Sequence, residues 1–525
     1  MKTIFLYVLE PDLRCRMNLY TPMYKRLNYN LFIILSILQL SAIGQTNNLM
    51  LDTSVTYQTI DNFGASDAWS TQFVGLWPEA KKEKIASLLF SREVDIKGNP
   101  NGIGLSLWRF NLGAGSTDND NIQDEWRKAE SFLQQDGSYN WNKQKGQVWF
   151  AKKAQEYGVN DLLIFSNSPP VKLTKNQKAY TSSGNHANLD KGKIDLYAAY
   201  LANSIEGLQK MGLKVDYISP INEPQWDWED GSQEGTPFWN DQIANLAKSL
   251  DSEFEKKGIE TKIDLAEAAQ INYLFEDDNK PGRGNQIYEF FNPDSQNYIG
   301  DLSNISQTIS GHSYFTTSPE SKLIDEREAL AENLKNYHSL KYWMSEYCIL
   351  GDNDGEINGN GRDLGIDSAL YMAKVIHNDL TIAQASAWHW WLAISPYDYK
   401  DGLIYIDKNK KGGNFYESKM LWALGNYSRF IRPGSKRIKV SVADKSNTLL
   451  CSAYFNKNKD EIITVIVNNG AKNELLTLSS ANSSMENLKT YTTSSDSNLA
   501  FEEVSGSQVE IPKKSIVTII QNIKS

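Results

Sequence analysis

Two hydrophobic periods alternate along the middle of the chain. Apolar residues recur at helical spacing as Phe150, Ala154 and Tyr157, as Tyr197, Leu201, Ile205 and Leu208, and as Ile243, Leu246, Leu250 and Phe254. Each set runs into a glycine, Gly158, Gly212 or Gly258, and a short apolar stretch follows at 161–165, 215–218 or 262–265. The glycines stand where a helix ends in left-handed backbone. Helix, glycine and strand in repetition predict βα units on a parallel sheet. Carried along the chain, the pattern predicts eight strands at 60–66, 104–110, 162–167, 215–221, 262–266, 308–312, 342–346 and 385–391. Helices are expected between them, including 324–337 and 363–379, and another at 418–430. Eight such units are the count of a (β/α)8 TIM barrel. A doubly wound open sheet is the alternative, but Asn62-Phe63-Gly64-Ala65-Ser66 lacks the glycine spacing of a phosphate-binding turn.

Beyond Arg432-Pro433-Gly434 the period drops to two, in runs at 448–455, 462–467, 489–492, 508–511 and 516–521, with a hairpin expected through Asn456-Lys457-Asn458. This tail predicts a side antiparallel β-sandwich, and 50–57 reads as a strand that joins it. The expected division is a leader at 1–44, a barrel at 59–430, and a side domain of 45–58 plus 431–525.

The leader follows from Lys25-Arg26, an apolar run at 31–40 and Ala42-Ile43-Gly44, the pattern of a cleaved signal peptide with translation starting near Met23. The run is too short to span a bilayer, so a secreted or periplasmic product is expected. Net charge is −10; cleavage after Gly44 removes five basic and two acidic residues and leaves −13. An acidic product argues against a nucleic-acid partner. Cys348 and Cys451 form neither a disulfide framework nor a metal-ligand spacing, and 351–356 misplaces the glycine and the final acid of a calcium loop. No metal and no cofactor are expected, and a monomer is.

Ligands of a barrel sit at the carboxyl ends of its strands. There the chain delivers Arg109, then Asn222 and Glu223 between Pro220 and Pro224, then His312 and Tyr314, then Glu346, and then Trp390 and Trp391. Ser66, Asp67 and Trp69 follow the first strand. The prolines end sheet pairing and hold Glu223 on extended backbone. Two carboxylates facing each other across a barrel suit glycoside hydrolysis, which needs one on either side of the scissile bond. Glu346 would attack as a carboxylate, which calls for a cation such as Arg109 and a donor such as Tyr314 beside it. Glu223 would begin protonated, held so by burial and by the field of Glu346. Trp390 or Trp391 offers a face for a pyranose. Plainer readings compete: Arg109 in a buried ion pair, His312 as a core histidine, Asp67 as a cap and Trp69 as core. A glycan-binding protein without catalysis is the alternative function.

Several motifs in order resemble glycoside hydrolase family 30: Ser-Pro-Ile-Asn-Glu-Pro at 219–224, Trp343-Met344-Ser345-Glu346, Gly104-Leu105-Ser106 ahead of Arg109, Gly311-His312-Ser313-Tyr314, and the run from Leu424 to Gly434. The resemblance implies the barrel with its side β domain, retaining hydrolysis of β-glycosides, Glu223 as acid/base, Glu346 as nucleophile and Asn222 on the sugar 2-hydroxyl. Gln225-Trp226-Asp227-Trp228 and Gln233-Glu234-Gly235-Thr236-Pro237 look most like the endo-β-1,6-galactanase branch, which cuts side chains of arabinogalactan. Glucosylceramidase-like members carry a tryptophan where this chain has Asn167 and an aspartate where it has Gly115-Ser116. Glucuronoxylanase-like members carry a basic cluster near strand eight that is not seen here. β-1,6-Glucanase, xylanase and glucosylceramidase-like activities are the alternatives within the family.

Overall fold

The computed structural model describes residues 47–118, 122–442, 448–480 and 487–523; the expected leader at 1–44 lies outside them. Strand β1 (Asn47–Thr59) precedes the barrel. The barrel strands are β2 (Asn62–Ser66), β3 (Leu107–Asn111), β4 (Asp161–Phe165), β5 (Tyr217–Ser219), β6 (Lys262–Ala268), β7 (Ile305–His312), β8 (Lys341–Tyr347) and β9 (Ala387–Ser395). Each pairs in parallel with the next, and β9 pairs back onto β2 to close the ring. Every residue of β2 and β3 is buried, which is why these strands read as unbroken apolar runs rather than alternating ones.

The three helices before Gly158, Gly212 and Gly258 are Lys145–Glu156, Ile194–Lys210 and Asn240–Lys257. The glycines adopt φ of +81°, +91° and +66°. Beyond each, an amide reaches back across the turn: Val159 to Ala154, Leu213 to Leu208 and Ile259 to Phe254. These bonds satisfy carbonyls that the helix end would leave open.

Two strands beside the barrel lie outside the expected set. Strand β10 (Gly402–Ile406) lies parallel beside the last residues of β9, and β11 (Phe415–Glu417) pairs antiparallel with β10. A five-residue run led by glycine carries too little period to be distinguished from a loop.

The side sheet comprises β1, β12 (Lys436–Val442), β13 (Leu449–Asn456), β14 (Glu461–Asn468), β15 (Glu474–Ser480), β16 (Leu488–Thr493), β17 (Ala500–Val504), β18 (Gln508–Ile511) and β19 (Ser515–Asn522). Its order is β17-β16-β19-β14-β13-β12-β1-β15-β18. Leu488 on β16 and Val509 on β18 share one apolar cluster although they lie near opposite ends of that order, so the sheet folds over its own core. One pairing departs from the antiparallel expectation: β1 runs parallel to β15. The hairpin after Asn456 forms, with Asn456 opposite Glu461.

The sheet is pinned to the barrel by the run from Leu424 to Gly434. Asn426 on the helix Lys419–Ser428 donates to the Tyr491 carbonyl at 3.0 Å and to Thr518 Oγ1 at 2.9 Å. Arg429 donates to the carbonyls of Ser91, Gly102, Arg92 and Glu93, and Arg432 to those of Gly104 and Ser428. Arg429→Ala would leave carbonyls without donors in the loop that leads into β3. Its expected cost is about 3 kcal/mol of folding stability, read as a lowered denaturant midpoint with an unchanged slope.

Candidate active site

The carboxyl ends of the barrel strands converge on a cleft of about 460 Å3. Asn222, Glu223, Tyr314, Glu346, Trp69 and Trp391 line it, joined by Trp226, Trp228, Phe315, Arg127, Tyr397 and Asp401.

Glu346 comes from β8, where register sets it opposite His312 of β7. Its Oε2 accepts from Arg109 Nη1 at 3.0 Å and its Oε1 from the Tyr314 hydroxyl at 3.0 Å. Glu223 follows β5 not in the extended backbone expected ahead of Pro224 but in left-handed backbone, φ +45°, a conformation costly for a residue with a β-carbon. It is held there from both sides: its N–H donates to the Glu267 carbonyl at 2.9 Å, and its carbonyl accepts from the Trp226 amide and the Trp228 indole. Its Oε1 meets His312 Nδ1 at 2.9 Å. Burial pushes the Glu223 carboxyl above the ordinary range; the His312 cation opposes that shift, and Glu346 and Glu267 add to it.

His312 is fully buried, and its Nε2 meets Glu267 Oε2 at 2.9 Å. Burial alone would strip its proton, but Glu346, Glu223 and Glu267 outweigh burial and raise it to about 10. Oxygens and nitrogens of Glu223, His312 and Glu346 lie within 4.8 Å of one another, a spacing a metal ion could use. Both ring nitrogens of His312 are engaged by carboxylates, Nδ1 by Glu223 and Nε2 by Glu267, so the three side chains form one hydrogen-bonded set with Glu267.

Glu267 was missing from the expected site because strand five was placed at 262–266, one residue short of it. It is wholly buried at φ +50°, and accepts from Arg109 at 3.2 Å, Ser345 at 2.6 Å and Ser219 at 2.8 Å. Burial works against its charge, yet Arg109, His312 and Ser345 hold the carboxyl far below the ordinary range.

Some expected sugar contacts stand behind the cleft wall. Arg109 and His312 touch carboxylates rather than the cavity. Trp390 is fully buried and donates its indole N–H to the Asp401 carbonyl at 2.7 Å; of the two candidate indoles it is Trp391 that lines the cleft, edge-on to Trp69 at 5.4 Å. Asp67 is buried, and burial raises it to about 8. Its Oδ1 accepts from the Asn111 amide and Gln147. Asn222 is in the cleft wall, its Oδ1 without a partner among the described residues. The motif at 233–237 holds loops together: Glu234 accepts from the amides of Ala114 and Ser116, and Gly235 lies so close to the Trp228 ring that a β-carbon would come within 2.4 Å of it.

A crystal structure of a conserved exported protein from Bacteroides fragilis is 35% identical, covers 90% of this chain and all of its own, and superposes with a TM-score of 0.84. A candidate glucosylceramidase of Caenorhabditis elegans is 23% identical over 438 residues, 79% of this chain and 75% of that one. An exo-β-1,6-galactobiohydrolase of Bifidobacterium longum is 23% identical over 124 residues, 23% of this chain and 8% of that protein. No helix among the described residues is long and apolar enough to cross a membrane. The family model of O-glycosyl hydrolase family 30 matches residues 46–405, from β1 through the barrel and its paired acids, and the chain is a glycoside hydrolase of that family.

Proposed function

We propose that the chain is a retaining, endo-acting β-glycosidase of β-1,6-linked galactan, with Glu346 as nucleophile and Glu223 as acid and then base. The observation that carries this reading is the acid pair itself, with one oxygen of each acid within 4.8 Å of the other, Glu346 held by Arg109 and Glu223 pushed toward its protonated form. Retaining enzymes hold the pair about 5–5.5 Å apart; inverting enzymes leave about 6.5–9.5 Å for a water.

Charge counting supports the roles. Arg109 and His312 supply two positive charges, Glu267 and Glu346 two negative ones, and the buried set is neutral when Glu223 keeps its proton. In the first step Glu346 forms a bond to the anomeric carbon as Glu223 gives its proton to the departing glycosidic oxygen. Glu346 has then become a neutral ester and Glu223 a carboxylate, so the set is neutral again. Glu223 next takes a proton from water, the water oxygen displaces Glu346, and the first state returns. Asn222 offers its unpartnered oxygen to a sugar hydroxyl, and Trp391 and Trp69 offer ring surface.

The galactan assignment is supported by the motifs at 225–228 and 233–237, by Asn167 in place of a tryptophan, and by the local similarity to the Bifidobacterium enzyme. Endo action is supported by aromatic surface around the acid pair, including Phe315, 46% exposed, and Tyr399, 40% exposed. An exported location suits a substrate too large to enter a cell.

The test is a product profile on β-1,6-galactan, glucuronoxylan, β-1,6-glucan and a glucosyl lipid, with the new anomer followed by NMR. Short galacto-oligosaccharides from the first substrate alone, appearing as the β anomer, are expected. Release from another of the four overturns the substrate, galactose alone overturns the endo mode, and the α anomer appearing first overturns retention.

A further inference from the structure

Glu267 pairs with both buried cations of the site, Arg109 and His312; Glu346 does so too, its contact with His312 longer at 3.7 Å, but Glu346 lines the cleft and Glu267 does not. Arg109 lies between Glu267 and Glu346, at 3.2 and 3.0 Å. His312 lies between Glu267 and Glu223, at 2.9 Å on each ring nitrogen. Neither cation carries an ion pair outside this set among the described residues. We infer that Glu267 is a positioning residue that fixes Arg109 against one catalytic acid and His312 against the other, and whose own negative charge offsets the pull of those cations on the Glu223 proton until the leaving group takes it. The inference rests on the roles assigned above to Glu223 and Glu346.

Titratable neighbours face Glu267 from all sides. Arg109 comes from β3, Glu223 follows β5, Asp264 is on β6, His312 on β7, Glu346 on β8 and His389 on β9. Asp264 accepts from Thr308 at 2.7 Å and from Ser219 at 3.2 Å. Burial first, and then Glu267, raise it to about 7, so Asp264 is the member of this pair that yields its charge. His389 donates toward Asn62 at 2.6 Å and is lowered to about 3 by burial and then by Arg109. It is neutral, and Arg109 and His312 remain the cations of the set.

Removing the Glu267 charge leaves the set one unit positive. A proton is then lost more readily from the hydrogen-bonded pair of Glu223 and His312, whichever of the two releases it. In Glu267→Gln, on whichever β-glycoside the unaltered protein hydrolyses fastest, kcat is expected to fall about 100-fold with KM within about threefold, because the cleft wall is unchanged. The basic limb of kcat/KM should move to lower pH. Glu267→Asp, which keeps the charge, should bring the limb back. A limb that stays in place, or one that moves equally in both variants, overturns the inference, as does a loss confined to KM. Should Glu267→Gln not fold, the decision passes to the intact protein: among its five histidines, one buried ring should still titrate as imidazolium at pH 8 by nitrogen NMR, and a neutral His312 there overturns it. That titration needs no substrate. Failure of every glycoside to react would therefore count against the proposed function alone.

Discussion

Glu346→Gln is expected to lower kcat by at least about 10^4-fold on every β-glycoside the enzyme accepts, because the amide cannot form the glycosyl ester of the proposed double displacement. The fold should survive. Glu346 accepts from Arg109 on Oε2 and from Tyr314 on Oε1, and the single oxygen of a glutamine can keep one of these bonds. Arg109 retains Glu267, so the substitution does not strand a buried guanidinium. A stability loss of about 1–3 kcal/mol follows from the one donor left over, far less than a chain of this size needs to unfold. The measurement pairs turnover with a denaturation curve and with calorimetric binding of galacto-oligosaccharide. Binding near that of the intact protein with no turnover is the expected result. Activity within tenfold of the intact protein would remove Glu346 from the reaction.

The strand ends that carry this chemistry were legible to different degrees, for physical reasons. Glu223 was marked by Pro220 and Pro224, which no paired strand tolerates, and Glu346 by its place at the end of an apolar run. Trp390 and Trp391 could not be separated by type, but strand parity separates them. Trp388 and Trp390 face out, with their indoles on Asp379 and the Asp401 carbonyl, while His389 and Trp391 face in. Glu267 sits in Glu-Ala-Ala-Gln, where no proline or aromatic residue signals a strand end. Its only cue was that every other strand around it delivered a polar group to the same place. Arg127 comes from one loop and Tyr397 and Asp401 from another far along the chain, and only closure of the barrel brings the two to one cleft. Three side-sheet strands, β12, β15 and β17, lie outside the expected runs for other reasons. Strand β17 is an edge whose residues are all partly or fully exposed; β12 turns Ile438, Val440 and Val442 to the side-sheet core, but Lys436, Arg437 and Lys439 crowd its start; and β15 buries only Leu476 and Leu478.

Glu223→Gln should separate substrates by leaving group. His312 occupies Oε1, so the proton bound for the glycosidic oxygen is delivered from Oε2. A sugar alkoxide cannot depart without that proton, and kcat/KM on galactan is expected to fall about 10^3-fold. A dinitrophenyl leaving group needs no proton, and kcat/KM on the dinitrophenyl β-glycoside of galactobiose should stay within about tenfold. Its turnover should nonetheless stall after one burst, because no base remains to activate water against the Glu346 ester. Azide needs no base, so adding it should restore turnover and release the β-glycosyl azide. The intact enzyme should lose kcat/KM on galactan as pH rises through the raised Glu223 ionisation, since only the protonated form is an acid. The variant should lack that limb on the aryl substrate. Equal losses on both substrates, or an α-glycosyl azide, would take the acid/base role from Glu223 and leave it a group that merely holds the sugar.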